Sequence, residues 1–160
     1  RVYCAQNSPF TLMYDSWKAG SRELVPITPE ESRGKAEVIL AKVLSNRKPP
    51  YSLAGGLFDV LKESNGDFYK VSNDQIVYWM LQFFNKEGYD ILPAAACAVA
   101  ALKNALEDGV VKRDETVMLN ITGAGMLNAT SKGFEMKKPD LILSTDLSAE
   151  EVIASVDRLF

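Results

Sequence analysis

The spacing of apolar side chains predicts strands and helices that follow one another along most of the chain. Apolar or β-branched runs enclosed by turn residues indicate strands at residues 1–6, 68–71 and 116–121, with a short edge strand at 140–144. Helical spacing indicates helices at residues 9–18, 28–44, 54–62, 73–84, 94–108 and 149–160. This order predicts an α/β fold with a parallel sheet.

Polar residues at the predicted helix ends support these assignments. Thr28, Ser72 and Ser148 are each followed three residues later by Glu or Gln, the pattern of a capping box. Proline follows Thr28 directly, and Pro93 opens the alanine-rich helix, as expected for the first helical position. The sequence therefore predicts well-defined helix starts.

The expected architecture is a partial three-layer parallel sheet of about three or four strands with flanking helices. We expect residues 1–160 to form a single C-terminal domain of a longer enzyme, because the chain opens within a predicted strand and without methionine. We also expect most aromatic residues and both cysteines in the core. These residues are Cys4, Phe10, Tyr14, Trp17, Tyr78, Trp79, Phe83, Phe84 and Cys97.

Composition narrows the classes of function. The chain is 47% hydrophobic and 24% charged, with a net charge of -3 and no basic stripe, which argues against nucleic acid as a partner. No apolar run reaches the roughly 18–20 residues that span a bilayer. The absence of histidine excludes Ser-His-Asp and Cys-His catalysis, and two cysteines are too few for a disulfide framework or a four-ligand zinc site. A reducing, cytoplasmic setting fits this cysteine usage.

The first candidate site is the turn Thr122-Gly123-Ala124-Gly125, which follows a predicted buried strand. Ligands of open parallel sheets bind at the carboxyl ends of strands. Glycine permits close backbone approach, and a threonine hydroxyl both donates and accepts hydrogen bonds. A plain structural turn is the alternative explanation.

Two further candidates combine small residues with a helix start. Pro93 and Ala94 open a helix whose first side chains are small, so its free N–H groups can face an anion or a flat ring. Gly55 and Gly56 precede another predicted helix. Close packing, of the helix on the sheet at Pro93 and Ala94 and of a tight contact at Gly55 and Gly56, is the alternative explanation without a ligand.

Taken together, these stretches resemble the fold-type II pyridoxal-phosphate enzymes, in the threonine synthase-like branch and its cysteate synthase group. The resemblance rests on residues 87–96, the alanine-rich helix after them, and residues 120–125. It also rests on residues 6–10, 46–52 and 55–59, in the same order along the chain. Ala124 stands where the turn of the family often carries glycine.

The resemblance implies the cofactor pyridoxal 5'-phosphate and a β-replacement reaction of O-phosphoserine with sulfite. It places Thr122 at the pyridine nitrogen, with Gly123, Pro93 and Ala94 around the cofactor, and Gly55 and Gly56 on the substrate side. The Schiff-base lysine lies upstream in the family, so we expect no catalytic residue in this chain and no activity of the chain alone. A threonine synthase acting on O-phosphohomoserine, or a non-catalytic ligand-binding module, is the alternative. A homodimer is possible.

Overall fold

The computed structural model describes residues 1–125, 133 and 138–159. The chain divides into two compact units, Arg1–Asn128 and Ala129–Phe160. In the first unit the elements follow in the order β1 (Tyr3–Asn7), α1 (Leu12–Lys18), α2 (Pro29–Val38), α3 (Leu57–Glu63), β2 (Asp67–Val71), α4 (Asn73–Glu87) and α5 (Pro93–Glu107). The second unit contains α6 (Ala149–Val156) and a 3₁₀ turn, Asp157–Leu159.

Strands β1 and β2 form a parallel pair in which Tyr3 lies opposite Asp67 and Asn7 opposite Val71. The two strands predicted at residues 1–6 and 68–71 are thus confirmed, as is the α/β class. Among the described residues the sheet has two strands, fewer than the three or four expected. The connection between β1 and β2 carries α1, α2 and α3, as parallel pairing requires a long crossover.

The core lies where α5 packs against the sheet. Ala96 and Ala100 of α5 are fully buried with Val71 of β2 and Ile76 of α4. Alanine side chains let a helix approach its neighbours closely, and Trp79 and Phe83 pack against the same cluster from α4. A second cluster contains Phe10, Leu12 and Ile39.

All three predicted capping boxes are present. The side chain of Thr28 accepts a hydrogen bond from the backbone N–H of Glu31, that of Ser72 from Gln75, and that of Ser148 from Glu151. In return, the side chain of each of these partners accepts a hydrogen bond from the backbone N–H of the cap residue. Pro93 opens α5 as expected, and α4 ends at Gly88, whose φ of 73° is left-handed. The local signals therefore located these helix ends correctly.

The helix predicted to reach residue 44 ends earlier, at Val38. Ile39 is extended with ψ of 145° and is fully buried, which turns the chain into the second core cluster. The backbone N–H groups that follow donate to side chains and not to carbonyl groups of the helix. Leu40 N donates to Asn73 Oδ1, and Ala41 N donates to Asn7 Oδ1. The helix predicted at 54–62 starts later, at Leu57, because residues 51–56 form turns.

The buried strand predicted at residues 116–121 is wrong, and so is the edge strand at 140–144. Met118 is 93% exposed, and no backbone hydrogen bond joins residues 116–121 to another part of the described chain. An apolar run becomes a buried strand only when neighbouring strands pair with it. Within the described residues no strand pairs with residues 116–121.

Some expected core side chains lie at the surface. Tyr78 and Phe84 are exposed on α4, whereas Tyr14, Trp17, Trp79 and Phe83 are partly buried and Phe10 is fully buried. Cys97 is buried and Cys4 half-buried, and burial raises the pKa of the thiols to about 12 and about 11 respectively. Both thiols therefore stay protonated near neutral pH.

Asp67 joins the start of β2 to the end of α1. One carboxylate oxygen accepts hydrogen bonds from Trp17 Nε1 at 2.7 Å, from Lys18 Nζ at 2.6 Å and from its neighbour's backbone N–H at 2.7 Å. Burial alone would raise the pKa of Asp67, but these donors and the Lys18 charge outweigh burial and lower it. Its stabilising contribution is present above the ordinary pKa of 3.8 and is lost as the pH falls through the lower folded-state pKa.

We expect Asp67→Asn to lower the free energy of unfolding by about 1 kcal/mol at pH 7, because the charge-assisted bonds to Lys18 and Trp17 weaken. The difference from the unsubstituted chain should shrink as the pH falls below 3.8 and through the lowered pKa of Asp67, because the aspartate then becomes protonated. Urea denaturation at several pH values measures this, with Asp114→Asn, an exposed loop position, as control. A constant difference across the whole pH range would contradict the assigned role.

Candidate cofactor-binding site

Two short segments pair where α5 begins. Leu92 N donates to Gly123 O at 3.2 Å, and Gly125 N donates to Asp90 O at 2.8 Å. Ile91 and Ala124 form an antiparallel bridge between these bonds. The turn predicted from the sequence as a site is thereby fixed beside the first residues of α5.

The glycines of this turn are explained by the close approach of the two segments. A Cβ atom at Gly123 would lie 2.6 Å from Leu92 Cδ1. At Gly125 it would lie 2.0 Å from Asp90 Oδ2 and 2.4 Å from Asp90 Cγ. Packing between protein segments is therefore sufficient to require both glycines. Thr122 and Pro93 are the next residues along the two paired segments.

The start of α5 offers backbone donors. The N-cap residue Leu92 is extended and provides no side-chain hydrogen bond, and Pro93 has no N–H. The next N–H groups, those of Ala94 and Ala95, lie in the first turn, where no intrahelical acceptor exists. Ala94 is half-buried and Ala95 is buried, so Ala94 is the more accessible of the two.

Thr122 is the polar side chain of this surface. It is exposed, and its hydroxyl has no hydrogen-bond partner among the residues that the structure describes. An exposed hydroxyl without a partner among the described residues can bind the polar edge of a planar ligand. The structure thus brings together four of the six residues expected at the site: Pro93, Ala94, Thr122 and Gly123.

Gly55 and Gly56 belong to a different local structure. Gly55 has a φ of 71° and donates its N–H to Asp59, and Gly56 donates to Leu53 O. A Cβ at Gly56 would lie 2.6 Å from Pro50 O. These hydrogen bonds stay within residues 50–59, so turn formation explains both glycines, and their position on the substrate side stays a prediction.

The Gly55 turn also carries an ion pair that the sequence did not suggest. Arg22 NH1 donates to Asp59 Oδ2 at 3.0 Å, and the Arg22 guanidinium is the main reason that the pKa of Asp59 is lowered. The residues are 37 positions apart, and no periodic pattern connects them. Asp90 lies within the stretch 87–96 that the sequence had singled out, but no periodic pattern suggested its contact with Gly125.

The described residues were also compared with the requirements of a metal site and of a membrane-spanning helix. Within residues 1–125, 133 and 138–159, no cluster of three or more Cys, Asp or Glu side chains is placed to hold a metal ion. No helix among the same residues has the length and apolar character needed to cross a membrane.

Comparison with known proteins identifies the family. Residues 1–123 match the family model described as pyridoxal-phosphate dependent enzyme. The chain belongs to this family.

Curated relatives cover most of the chain. It is 45% identical over 127 residues to a cysteate synthase of Methanocella paludicola, which covers 79% of this chain and 30% of that protein. A cysteate synthase of Methanosarcina mazei is 37% identical over 155 residues, covering 95% and 37% respectively. One from Methanothrix thermoacetophila is 36% identical over 162 residues, covering 100% and 38%. The chain spans about a third of the length of the relatives it matches.

The residues at the start of α5 fit one side of the family's cofactor. Pyridoxal phosphate has a flat ring with a polar nitrogen. The surface offers the exposed hydroxyl of Thr122, which has no partner among the described residues, and the small, half-buried Pro93 and Ala94 on the paired segment. The pairing of Leu92 with Gly123 holds these residues on two adjacent segments. Such a surface can contact one face or edge of a planar ring.

Proposed function

We propose that this chain is part of an enzyme that makes cysteate from O-phosphoserine and sulfite and releases phosphate, with pyridoxal phosphate as its cofactor. The observation that carries the proposal is the match to three proteins named cysteate synthase, at 36–45% identity over 79–100% of the chain. The exposed hydroxyl of Thr122, next in the chain to the Gly123 that pairs with Leu92, supports it from the structure.

In this proposal each residue of the site has a binding role. When bound, pyridoxal phosphate supplies a ring that accepts electrons from the α-carbon of the amino-acid substrate. With the cofactor bound, the Thr122 hydroxyl would hydrogen-bond the ring nitrogen, while Gly123 keeps the turn against Leu92 and so sets the position of that hydroxyl. Pro93 and Ala94 would line the ring edge.

The remaining functions are assigned outside the site described above. We propose that the lysine that holds the cofactor and moves the α-proton lies in a part of the enzyme outside this chain, so that the 160 residues alone are inactive. Gly55 and Gly56 are proposed to lie on the side where substrate enters. The complete enzyme is proposed to be cytoplasmic and to form a homodimer.

The substrate assignment is tested with the full-length enzyme purified with pyridoxal phosphate. We expect phosphate release and cysteate formation when O-phosphoserine and sulfite are both present, measured by a phosphate assay and by mass spectrometry. Two controls should form no cysteate: the same reaction without sulfite, and the 160-residue chain in place of the full-length enzyme.

The competing reaction gives a distinct result. Phosphate release from O-phosphohomoserine with formation of threonine, and none from O-phosphoserine, would overturn the proposal in favour of threonine synthase. Binding of O-phosphoserine without any product from either substrate would instead favour a non-catalytic module.

A further inference from the structure

A cavity of about 300 Å³ lies at the outer edge of β2, the edge that faces away from β1. Residues 67–70 of β2 line it, together with Lys18 at the end of α1 and with Asn104 and Asp108 at the end of α5. All of these residues belong to the first compact unit. Helix α5 has 15 residues and is roughly 22 Å long, so the cavity and the candidate cofactor site lie at opposite ends of this helix.

Backbone groups of β2 face this outer edge without a partner. Ser8 N donates to Val71 O, so Val71 and the other odd-numbered residues of β2 direct their backbone groups at β1. Successive residues of a strand direct these groups to opposite edges. The C=O of Phe68 and the N–H of Lys70 therefore face away from β1, and neither is hydrogen-bonded in the part of the chain that the structure describes.

A free α-amino acid matches these two backbone groups. In a parallel sheet, one residue of the neighbouring strand donates its N–H to the C=O of a residue and accepts the N–H of the residue two positions later. Phe68 and Lys70 are two positions apart. The ammonium group of an amino acid can therefore donate to Phe68 O while its carboxylate accepts from Lys70 N, as one residue of a parallel strand would.

Two charged side chains of the cavity are available for such a ligand. The other charges around it are already paired, Lys18 with Asp67 at 2.6 Å and Glu107 with Lys103 at 2.8 Å. Lys70 Nζ lies 5.3 Å from the centroid of the Tyr14 ring. Neither Lys70 nor Asp108 has an ion-pair partner among the described residues, although both line the same cavity.

The groups that α5 contributes are in the order that an amino acid requires. Asn104 lies toward the end of β2, because its Oδ1 accepts from Gln75 Nε2 at 3.2 Å, and this bond leaves the NH₂ group of Asn104 as a donor. Asp108 follows one helical turn later. Burial, and after it the charge of Asp108, raises the pKa of the Tyr69 hydroxyl, which places this carboxylate beside the middle of β2.

We propose that the outer edge of β2 binds a free α-amino acid, at a site separate from the cofactor site. The ligand carboxylate accepts hydrogen bonds from the backbone and side chain of Lys70 and from Asn104, and the ligand ammonium donates to Phe68 O and to Asp108. A volume of about 300 Å³ accommodates an amino acid with a small side chain. Charged side chains on an outer edge oppose pairing with a further strand, so a small ligand is the better occupant. The proposal does not depend on the proposed reaction.

Calorimetric titration of the full-length protein with L-alanine tests this site. L-Alanine has no leaving group on its β-carbon, so a β-replacement enzyme cannot consume it. We expect a Kd below about 1 mM. N-Acetyl-L-alanine lacks the ammonium group and L-alaninamide lacks the carboxylate, so both should bind at least about 10-fold more weakly. Failure of L-alanine to bind, or equal affinity for all three compounds, would overturn the proposal.

Hydrogen–deuterium exchange of the full-length protein locates the bound L-alanine. Phe68 N donates to Asp67 Oδ1 at 2.7 Å and the odd-numbered amides face β1, so a change in residues 67–71 reports on the N–H of Lys70. This N–H should exchange about 10-fold more slowly with saturating L-alanine. Protection confined to residues 93–96 would assign the binding to the cofactor site and overturn the proposal. Slow exchange of Lys70 before L-alanine is added would show that another segment covers this edge, with the same consequence.

Substitutions at the two ends of the ligand provide the second test. Lys70→Pro removes the N–H that faces away from β1, a position where a strand tolerates proline, and Asp108→Asn removes the negative charge. Each should raise the Kd for L-alanine at least about 10-fold, and Lys70→Gln, which keeps the N–H, should raise it less than Lys70→Pro. Lys86→Gln, at an exposed position in the last turn of α4, is the control and should leave the Kd unchanged. An unchanged Kd in Asp108→Asn and Lys70→Pro would contradict the site.

Discussion

Replacing Gly66 with alanine is expected to lower the free energy of unfolding by about 3 kcal/mol, the upper range for overpacking a tight site. A Cβ atom at this position would lie 1.9 Å from the carbonyl oxygen of Val2. That oxygen accepts the hydrogen bond of Asp67 N that begins the pairing of β1 with β2. Because the obstructing atom belongs to the backbone, relief requires the two strands to separate at this end.

Gly34→Ala is the matched control. Gly34 lies inside α2, and a Cβ atom there would have no neighbour within 4 Å. Alanine at this position should raise the free energy of unfolding by about 0.5–1 kcal/mol, because glycine is a poor helix former. Urea denaturation followed by circular dichroism measures both variants. A Gly66→Ala protein as stable as the Gly34→Ala protein would show that the β1–β2 junction is not as close as described.

The elements that could be predicted from the sequence depend on neighbouring residues alone. A cap such as Ser72 and its partner Gln75 lie three positions apart, so the pattern and the hydrogen bonds coincide. Gly88 ends α4 by the same kind of local rule. Strand β2 was also predictable, since a short β-branched and aromatic run lies between turn residues.

The errors arose where distant parts of the chain decide the structure. The end of α2 is set by Asn7 and Asn73, whose side chains bind the backbone after Val38 from more than 30 positions away. Residues 116–121 have the composition of a buried strand, but their pairing depends on strands that no local pattern supplies. Periodicity describes which faces are apolar, not which neighbours are present to cover them.

The candidate site contains one feature that the sequence could predict and one that it could not. The Thr122 turn could be predicted, because a small-residue turn after an apolar run is a local signal. Its contact with Leu92 could not, because the two segments are about 30 positions apart and meet through backbone hydrogen bonds that any residue makes. The structure also explains Gly123 and Gly125 by packing. Packing does not explain the exposed hydroxyl of Thr122, which is therefore the group of this turn to test for a role in binding.

If the proposed function holds, Thr122→Val in the full-length enzyme is expected to lower kcat for cysteate formation about 10–100-fold and to weaken pyridoxal phosphate binding, because the proposed hydrogen bond to the ring nitrogen is lost. Valine keeps the shape of threonine, and Thr122 is exposed, so the fold should be unaffected. Turnover gives kcat, and a fluorescence titration of the apoenzyme gives the cofactor Kd. Thr122→Ser restores the hydroxyl and should recover most of both. Equal kcat and Kd in the valine variant and the unsubstituted enzyme would remove Thr122 from the site, whereas loss in both variants would assign it a steric role instead.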